Sequence, residues 1–212
     1  MTVAAVLVAG GSGARLGADM PKAFVRVGGQ RLVDHALARF RRHVAHTVVV
    51  VPAGWESRVE ASIVVCGGAT RQESVDAGLR AVPDHVEYVL VHDVARPFVP
   101  EDVIARVLAA LRAGADAVIP AMPVTDTIKR VDSAGVVLGT VDRSELMAVQ
   151  TPQGFRRSVL IEAHARGGDG ATDDAALVES IGGRVVVVPG DEHAFKITTA
   201  WDLSVAEGMA RD

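Results

Sequence analysis

A glycine-rich stretch at residues 7–24 places four glycines, Arg15 and Lys22 directly behind a hydrophobic run. Backbone N–H groups in such a loop can approach an anion closely, and the two cationic side chains supply charge for a polyphosphate. No Lys-Ser or Lys-Thr pair follows the glycines, so the loop is not a Walker A motif. From these residues alone, a phosphate-binding loop and a tight surface turn with two solvated cations are equally good interpretations.

A dinucleotide-binding fingerprint is the nearest alternative for this loop. Gly11 and Gly13 fit its first two glycines, but Leu16 stands where the third glycine or alanine belongs. Pro21 would also interrupt the helix on whose N-terminus a pyrophosphate should lie. A nicotinamide-dependent oxidoreductase is therefore a distant alternative.

Two further strand ends carry residues suited to ligand binding. Gly67 and Gly68 precede Thr70, a candidate N-cap, so an ordinary strand-to-helix connection also explains them. Asp93 is suited to a metal ion or a hydroxylated substrate, and Arg96 to a phosphate. The alternative is an Asp-Arg pair that only shapes the turn. The preceding residue, His92, faces an apolar strand and is predicted to be a core histidine.

Charged residues also occur in two later segments. Residues 126–130 and 141–143 place charges on a predicted hairpin, and Lys196 is expected on a short strand at 195–198 before a capped helix. Most such surface charges are only solvated, so none of these segments is informative alone.

Two periodicities alternate along the chain and define the elements that must position these residues. Valine- and isoleucine-rich runs predict buried strands at 3–8, 47–51, 63–65, 88–91, 117–119 and 184–188. Helical patterns occupy residues 33–42, 71–81, 101–113, 175–181 and 199–209. This alternation predicts an α/β fold whose mostly parallel sheet is covered by helices on both faces. Residues 124–131 and 136–141, joined by a turn at 132–135, instead predict a β-hairpin arm.

Composition limits the class of protein. The 212 residues are 49% hydrophobic, enough for a substantial core, and we predict one domain at 1–212 with an inserted arm at about 124–145. The net charge of -4 gives no general attraction for nucleic acid or anionic membrane. Cys66 is the single cysteine, expected to be buried, and fits a reducing compartment. With no leader or membrane-spanning pattern, we expect a cytoplasmic, soluble protein.

Eight motifs in a fixed order resemble those of the 2-C-methyl-D-erythritol 4-phosphate cytidylyltransferase family over nearly the whole chain, from Val6 to Glu207. They are A-G-G-S-G-A-R-L-G with Pro21-Lys22, G-G-A-T-R-Q-E-S-V-D-A-G-L at 67–79, V-H-D-V-A-R-P-F at 91–98, D-T-I-K-R at 126–130, T-V-D-R at 140–143, Q-T-P-Q-G-F at 150–155, T-D-D-A at 172–175 and K-I-T at 196–198. The resemblance implies a Rossmann-like, three-layer nucleotidyltransferase sheet with a protruding β-hairpin arm.

The resemblance also implies roles for individual residues. The cations that assist catalysis would be Arg15, Lys22 and Lys196. The residues that hold the sugar phosphate and the reacting phosphates would be Asp93, Arg96, Thr127 and Arg143, with Asp93 also the metal ligand. The CTP-binding residues would be Ala9, Gly10, Gly11, Ser12, Gly13, Gly67, Gly68, Ser74 and Val94.

The same resemblance implies Mg²⁺ as cofactor and a homodimer formed through the arm, in which Thr127 and Arg143 complete the partner's site. The sequence departs from the family pattern at Val8, Gly10 and Val94, and Val94 is expected to crowd the base pocket slightly. The segment 53–63 is short, which puts a peripheral helix in doubt.

Three functions follow as hypotheses. The first is transfer of CMP from CTP to 2-C-methyl-D-erythritol 4-phosphate, releasing pyrophosphate in non-mevalonate isoprenoid biosynthesis. The second is the same transfer to a polyol phosphate such as ribitol 5-phosphate. The third is a nucleotide-binding relative without catalysis, which predicts losses among the phosphate-contacting cations. Arg15, Lys22, Arg143 and Lys196 are all present.

Overall fold

Valine-rich runs of the sequence form the strands of one central sheet in the computed structural model, which describes residues 2–168 and 171–211. In chain order, all the strands of the described residues are β1 (Val3–Val8), β2 (Arg26–Val27), β3 (Gln30–Arg31), β4 (His46–Val51), β5 (Ile63–Cys66), β6 (Tyr88–Asp93), β7 (Ala117–Pro123), β8 (Ile128–Val131), β9 (Val137–Val141), β10 (Met147–Val149), β11 (Gln153–Arg156) and β12 (Val185–Pro189). β2 and β3 form a separate two-stranded sheet, as do β8 and β9, and the other strands form the central sheet. The helices are α1 (Leu32–Phe40), α2 (Arg71–Arg80), α3 (Glu101–Arg112), α4 (Arg157–Arg166), α5 (Asp174–Ser180) and α6 (Ala200–Met209).

The sheet is parallel around its first strand. β1 lies between β4 and β6, and β5 extends the sheet beyond β4, all three pairs being parallel. β12 is parallel to β7, whereas β11 runs antiparallel between β6 and β7, and β10 is antiparallel to β7. β4 lies on one side of β1 and β6 lies on the other, so the order of the strands reverses at β1. Such a reversal leaves a crevice at the carboxyl ends of the strands.

Helices cover both faces of this sheet, as predicted. Alternate residues of β1 enter two separate cores, one formed with α1 and α3 and the other with α2, α4 and α5. On the second face, Gly78 lets α2 lie against β1 and β4, since a Cβ there would come within 2.5 Å of Val6 and 2.8 Å of Val50. The predicted α/β fold with a mostly parallel, doubly covered sheet is confirmed.

The predicted hairpin is also confirmed. Within the part of the chain that the structure describes, β8 and β9 pair only with each other, and both are exposed along nearly their whole length. The turn follows from its residues: the Asp132 carboxylate accepts hydrogen bonds from the backbone N–H groups of Ala134 and Val136, and Gly135 adopts a φ of 80°. The arm therefore stands apart from both cores.

Several elements differ from the sequence-based expectations. β10, β11 and α4 were not predicted, because residues 147–166 lack one clean period. Residues 195–198 form no strand, and the stretch 53–63 contains only a 3₁₀ turn at Glu56–Arg58 before β5 begins at Ile63. The expectation that Cys66 is buried is wrong: it ends β5 at the sheet edge and is exposed. Among the described residues, no helix has both the length and the apolar character needed to cross a membrane. The boundary of a single domain with an inserted arm remains a prediction.

Candidate active site

A pocket lies at the carboxyl ends of β1 and β6, at the point where the strand order reverses. Val8 and Asp93 are opposite each other in the parallel register, so the loops that leave the two strands begin side by side. The Val94 N–H donates to the Val8 carbonyl and the Ala9 N–H to the Val50 carbonyl, which continues the ladder into those loops. The sheet itself therefore brings the candidate residues to one edge.

Ten of the residues predicted for the site line this pocket. They are Ala9, Gly10, Gly11, Arg15, Lys22, Gly68, Ser74, Asp93, Val94 and Lys196. Ser12, Gly13 and Gly67 belong to the same loops without lining it, and Arg96, Thr127 and Arg143 lie elsewhere. Arg71 lines the pocket although it was not singled out from the sequence. Its position as the first helical residue after a glycine pair at a sheet edge was the available signal.

The first glycine-rich loop folds back on itself to present its cations. The Lys22 N–H donates to the Gly11 carbonyl at 2.9 Å, closing the loop. Gly13 adopts a φ of 76°, and a Cβ there would lie 2.7 Å from the Met20 carbonyl oxygen, so the closure needs glycine. A 3₁₀ turn at Ala14–Leu16 carries Arg15. Both cations thereby reach the pocket from one short segment.

Lys22 lies among other positive charges. Its Nζ donates to the Ile197 carbonyl at 3.0 Å. Burial, followed by repulsion from Lys196 and Arg15, lowers the pKa of the Lys22 ammonium group below its ordinary value. Three cations crowded around one pocket favour occupation by an anion of several charges.

Asp93 is the negative charge at the centre of the site. One carboxylate oxygen accepts from Lys196 Nζ at 2.7 Å, and the other accepts from Arg71 Nε at 3.2 Å. Burial alone would raise the pKa of the Asp93 carboxyl group, but Arg71 and Lys196 outweigh it and hold that pKa far below the ordinary value. Asp93 is thus ionised at neutral pH.

The second glycine pair sits over the start of α2. A Cβ on Gly67 would lie 2.7 Å from Ser74 Oγ, so glycine permits this close approach of loop and helix. Thr70 and Glu73 form a capping box that fixes the helix start. Ser74 is buried and its hydroxyl donates to the Thr70 carbonyl at 2.8 Å, leaving its oxygen able to accept from a ligand. The predicted contact of this loop with a cytosine base remains a prediction.

His92 lies beneath the pocket and is not part of its lining. It is fully buried, as expected for a core histidine, and burial lowers its pKa to about 4. Its Nε2 is 3.1 Å from the Arg96 carbonyl, which only accepts, so Nε2 carries the proton. Nδ1 therefore accepts from the Thr151 hydroxyl at 3.0 Å, and that oxygen accepts from the Asp93 N–H at 3.1 Å. This series of hydrogen bonds anchors the backbone at Asp93.

Arg96 is turned away from the pocket lining. Its Nη1 donates to the Ala194 carbonyl at 2.7 Å and its Nη2 to the Val149 carbonyl at 3.3 Å. The alternative that Asp93 and Arg96 only pair to shape the turn is not what the structure shows, since Asp93 pairs with Arg71 and Lys196. A phosphate role for Arg96 remains a prediction.

Thr127 and Arg143 lie at the base of the arm. Thr127 precedes β8 and is exposed, and Arg143 begins a 3₁₀ turn after β9. The Arg143 guanidinium donates to the Thr125 carbonyl across the base of the arm. The structure does not bring either residue into the pocket of its own chain.

The pocket's donor set fits a magnesium ion that arrives with a substrate. Asp93 is the acidic residue in the described lining, and the described residues contain no cluster of three or more metal-ligating side chains. Mg²⁺ is typically held by one or two carboxylates together with substrate phosphates. One carboxylate in the lining is therefore compatible with such an ion, and magnesium binding by Asp93 remains a prediction.

Comparison with known proteins identifies the family. The family described as 2-C-methyl-D-erythritol 4-phosphate cytidylyltransferase matches residues 3–212. A protein of that name from Saccharopolyspora erythraea is 51% identical, with 99% of each chain covered. A bifunctional IspD/IspF enzyme from Clavibacter michiganensis is 52% identical, and the chain spans 54% of its length. The crystal structure of the Thermus thermophilus cytidylyltransferase is 42% identical over both whole chains, with a TM-score of 0.86. The chain belongs to the 2-C-methyl-D-erythritol 4-phosphate cytidylyltransferase family.

Proposed function

We propose that this protein transfers CMP from CTP to 2-C-methyl-D-erythritol 4-phosphate, giving 4-diphosphocytidyl-2-C-methyl-D-erythritol and pyrophosphate. The observation that carries the proposal is the meeting of Arg15, Lys22 and Lys196 around Asp93 in one pocket at the carboxyl edge of the sheet. Membership of the family supports this acceptor over ribitol 5-phosphate, and the complete set of cations argues against a relative without catalysis.

The reaction needs little proton transfer. An oxygen of the acceptor phosphate forms a bond to the α-phosphorus of CTP, and the bond from that phosphorus to the bridging oxygen of pyrophosphate breaks. A phosphate monoester has a second pKa near 6, so the attacking group is already largely ionised at neutral pH. The protein therefore has to bring two anions together and to neutralise growing charge.

The side chains of the pocket match that task. Arg15 and Lys22 come from the first glycine-rich loop, and Lys196 approaches from the segment before α6. Lys196 is paired with Asp93 at 2.7 Å, which holds its ammonium group at the pocket wall. Donors placed in advance around the α-phosphoryl group and the leaving oxygen stabilise the charge of the transition state.

The described lining contains no nucleophile and base pair of the hydrolase kind. His92 is the nearest histidine in sequence to Asp93, but both of its ring nitrogens are engaged and its side chain is fully buried. Direct attack by the acceptor phosphate, without a covalent enzyme intermediate, is the mechanism these residues support.

The proposal includes Mg²⁺, with Asp93 as the protein ligand. Asp93 would hold the ion, which would neutralise part of the charge of the phosphates. Arg71 and Lys196 keep the Asp93 carboxylate ionised, and this is the form a cation binds.

The proposal also includes a homodimer formed through the arm and a cytoplasmic location. Exposed apolar side chains on the arm support the dimer: they are Val131, Val136, Val137 and Leu138. Thr127 and Arg143 at the base of the same arm would then serve the acceptor site of the partner chain. The single cysteine is the feature that favours a reducing compartment.

The test is pyrophosphate release by purified protein with CTP and Mg²⁺. 2-C-methyl-D-erythritol 4-phosphate and ribitol 5-phosphate are compared in parallel as acceptors. We expect release with the first and little with the second. The reverse preference would keep the CTP site but change the acceptor, and no release with either would favour a nucleotide-binding protein without catalysis.

A further inference from the structure

A buried carboxylate outside the pocket holds one of the pocket's cations. Asp174, the first residue of α5, is 1% exposed and does not line the pocket. Its Oδ2 accepts from Arg71 Nη1 at 2.7 Å, across 103 positions of sequence. Its Oδ1 accepts from His164 Nε2 at 3.0 Å, and the His164 side chain is 3% exposed. Both carboxylate oxygens are therefore engaged, one by the buried His164 and the other by Arg71, whose side chain is partly exposed.

Arg71 is shared unequally between two carboxylates. Its contact with Asp174 is 2.7 Å, while its contact with Asp93 is 3.2 Å. Burial alone would lower the pKa of the Arg71 guanidinium, but attraction by Asp174 and then by Asp93 raises it. The pair of Arg71 with Asp174 is tightly held, because separation would leave the buried Asp174 carboxylate as an uncompensated charge.

Asp93 has a competing task that Asp174 does not have. Asp93 lines the pocket, pairs with Lys196, and under the proposed function meets the substrates. Asp174 lies behind Arg71 and meets no substrate. When ligands draw the Asp93 carboxylate away, Asp174 still fixes the guanidinium at the pocket wall.

We propose that Asp174 is a positioning residue that holds Arg71 against the nucleotide, so that Arg71 contributes to CTP binding through a geometry set by α5. The inference rests on the proposed function for the identity of the ligand. The alternative is that Arg71 and Asp174 only tie α2 to α5 and have no effect on the ligand. The two explanations differ in the effect of the substitutions on CTP binding: only in the first does the effect of changing Asp174 depend on the presence of Arg71.

The experiment measures CTP binding by calorimetry, in Mg²⁺-containing buffer without acceptor, for four proteins: wild type, Asp174→Asn, Arg71→Ala and the double variant. We expect about a tenfold rise in the CTP Kd for Asp174→Asn, the scale of weakening one hydrogen bond to a charged group. In the Arg71→Ala background, the same substitution should leave the Kd unchanged, because Asp174 acts through Arg71.

Asp173→Asn is the matched control. Asp173 is the neighbouring carboxylate, caps the same helix and accepts from Gln153 Nε2 at 2.6 Å, but it does not contact Arg71. This variant is expected to lose stability without a change in the CTP Kd. Melting curves for all the variants separate loss of fold from loss of binding. If Asp174→Asn does not fold, His164→Ala frees one oxygen of Asp174 and should weaken binding, again only where Arg71 is present.

Two results would overturn the inference: an unchanged Kd in folded Asp174→Asn, or an equal rise with and without Arg71. Steady-state kinetics with the acceptor provide a second measurement, and we expect the change in the CTP KM to exceed the change in kcat. Wild-type protein that binds no CTP would instead overturn the proposed function, so the two failures are distinguishable.

Discussion

The pocket and the arm carry similar charged side chains, but those of the pocket are held by close partners and those of the arm are exposed. In the pocket, Asp93 lies at the end of a packed strand, and Lys196 is held by its close hydrogen bond to Asp93. On the arm, Lys129 and Arg143 are exposed, and their contacts are with residues of the arm itself or its base. Charge alone therefore does not mark a site. What separates the two regions is whether the fold holds the charge in place before a ligand arrives.

The largest effect is expected beneath the pocket, at His92. Its pKa of about 4 lies below the ordinary 6.5, so the unfolded chain binds more protons between these values. The free energy of unfolding should therefore fall as pH drops from 6.5 to 4, by on the order of 3 kcal/mol from this residue. Urea unfolding at pH 7 and pH 4 measures that fall. In His92→Gln the fall should be smaller, and an equal fall would assign it to other groups.

The second effect is expected within the pocket. Lys22→Ala should keep the fold and lower kcat by at least ~100-fold, the scale of losing one donor to the transition state. Pyrophosphate release measures the rate, and circular dichroism checks the fold. Near-normal turnover would remove Lys22 from the proposed catalytic group.

The third effect is expected at the base of the arm. Arg143→Ala should raise the KM for the acceptor about tenfold, as expected for one charge-assisted hydrogen bond. Mixing this variant with Lys22→Ala tests whether the arm serves the pocket of the partner chain, because a mixed dimer contains one pocket with both residues intact. At an acceptor concentration well below the KM of Arg143→Ala, activity should rise on mixing. No rise would mean that each arm serves its own chain or none.

The smallest effect is expected in the middle of the arm. Lys129 donates to Thr140 Oγ1 across the hairpin at 2.5 Å, but both residues are exposed. Lys129→Ala should change the free energy of unfolding by less than ~0.5 kcal/mol and leave turnover unchanged. Urea unfolding and the same pyrophosphate assay check this. A large loss of activity would show that the arm positions substrates along its length.

The sequence predicted the parts of the molecule that depend on local pattern. Buried valine runs predicted the parallel strands, and the turn at 132–135 predicted the hairpin, since both signals lie within a few residues. β11 was missed because it is defined by its pairing with strands far away in the chain, and α4, which follows it directly, was missed with it. Cys66 was expected to be buried, but β5 ends at the open edge of the sheet.

The candidate site was predicted in the same uneven way. The glycine-rich loops and Asp93 are visible in sequence because their types and order are informative. The partnership of Arg71 with Asp174 is not visible, since it joins residues 103 positions apart and depends on how α5 packs. Arg96 was expected to face a phosphate, but the carbonyls it meets come from distant segments.

Hydrogen-bond donation runs in one direction only, from the Asp93 N–H through Thr151 and His92 to the Arg96 carbonyl. With a single tautomer allowed, the backbone at Asp93 has few alternative arrangements in the free protein. Ordering this segment on binding therefore costs little conformational entropy, and more of the contact energy remains as affinity. The core beneath the pocket therefore orders this segment before any ligand binds.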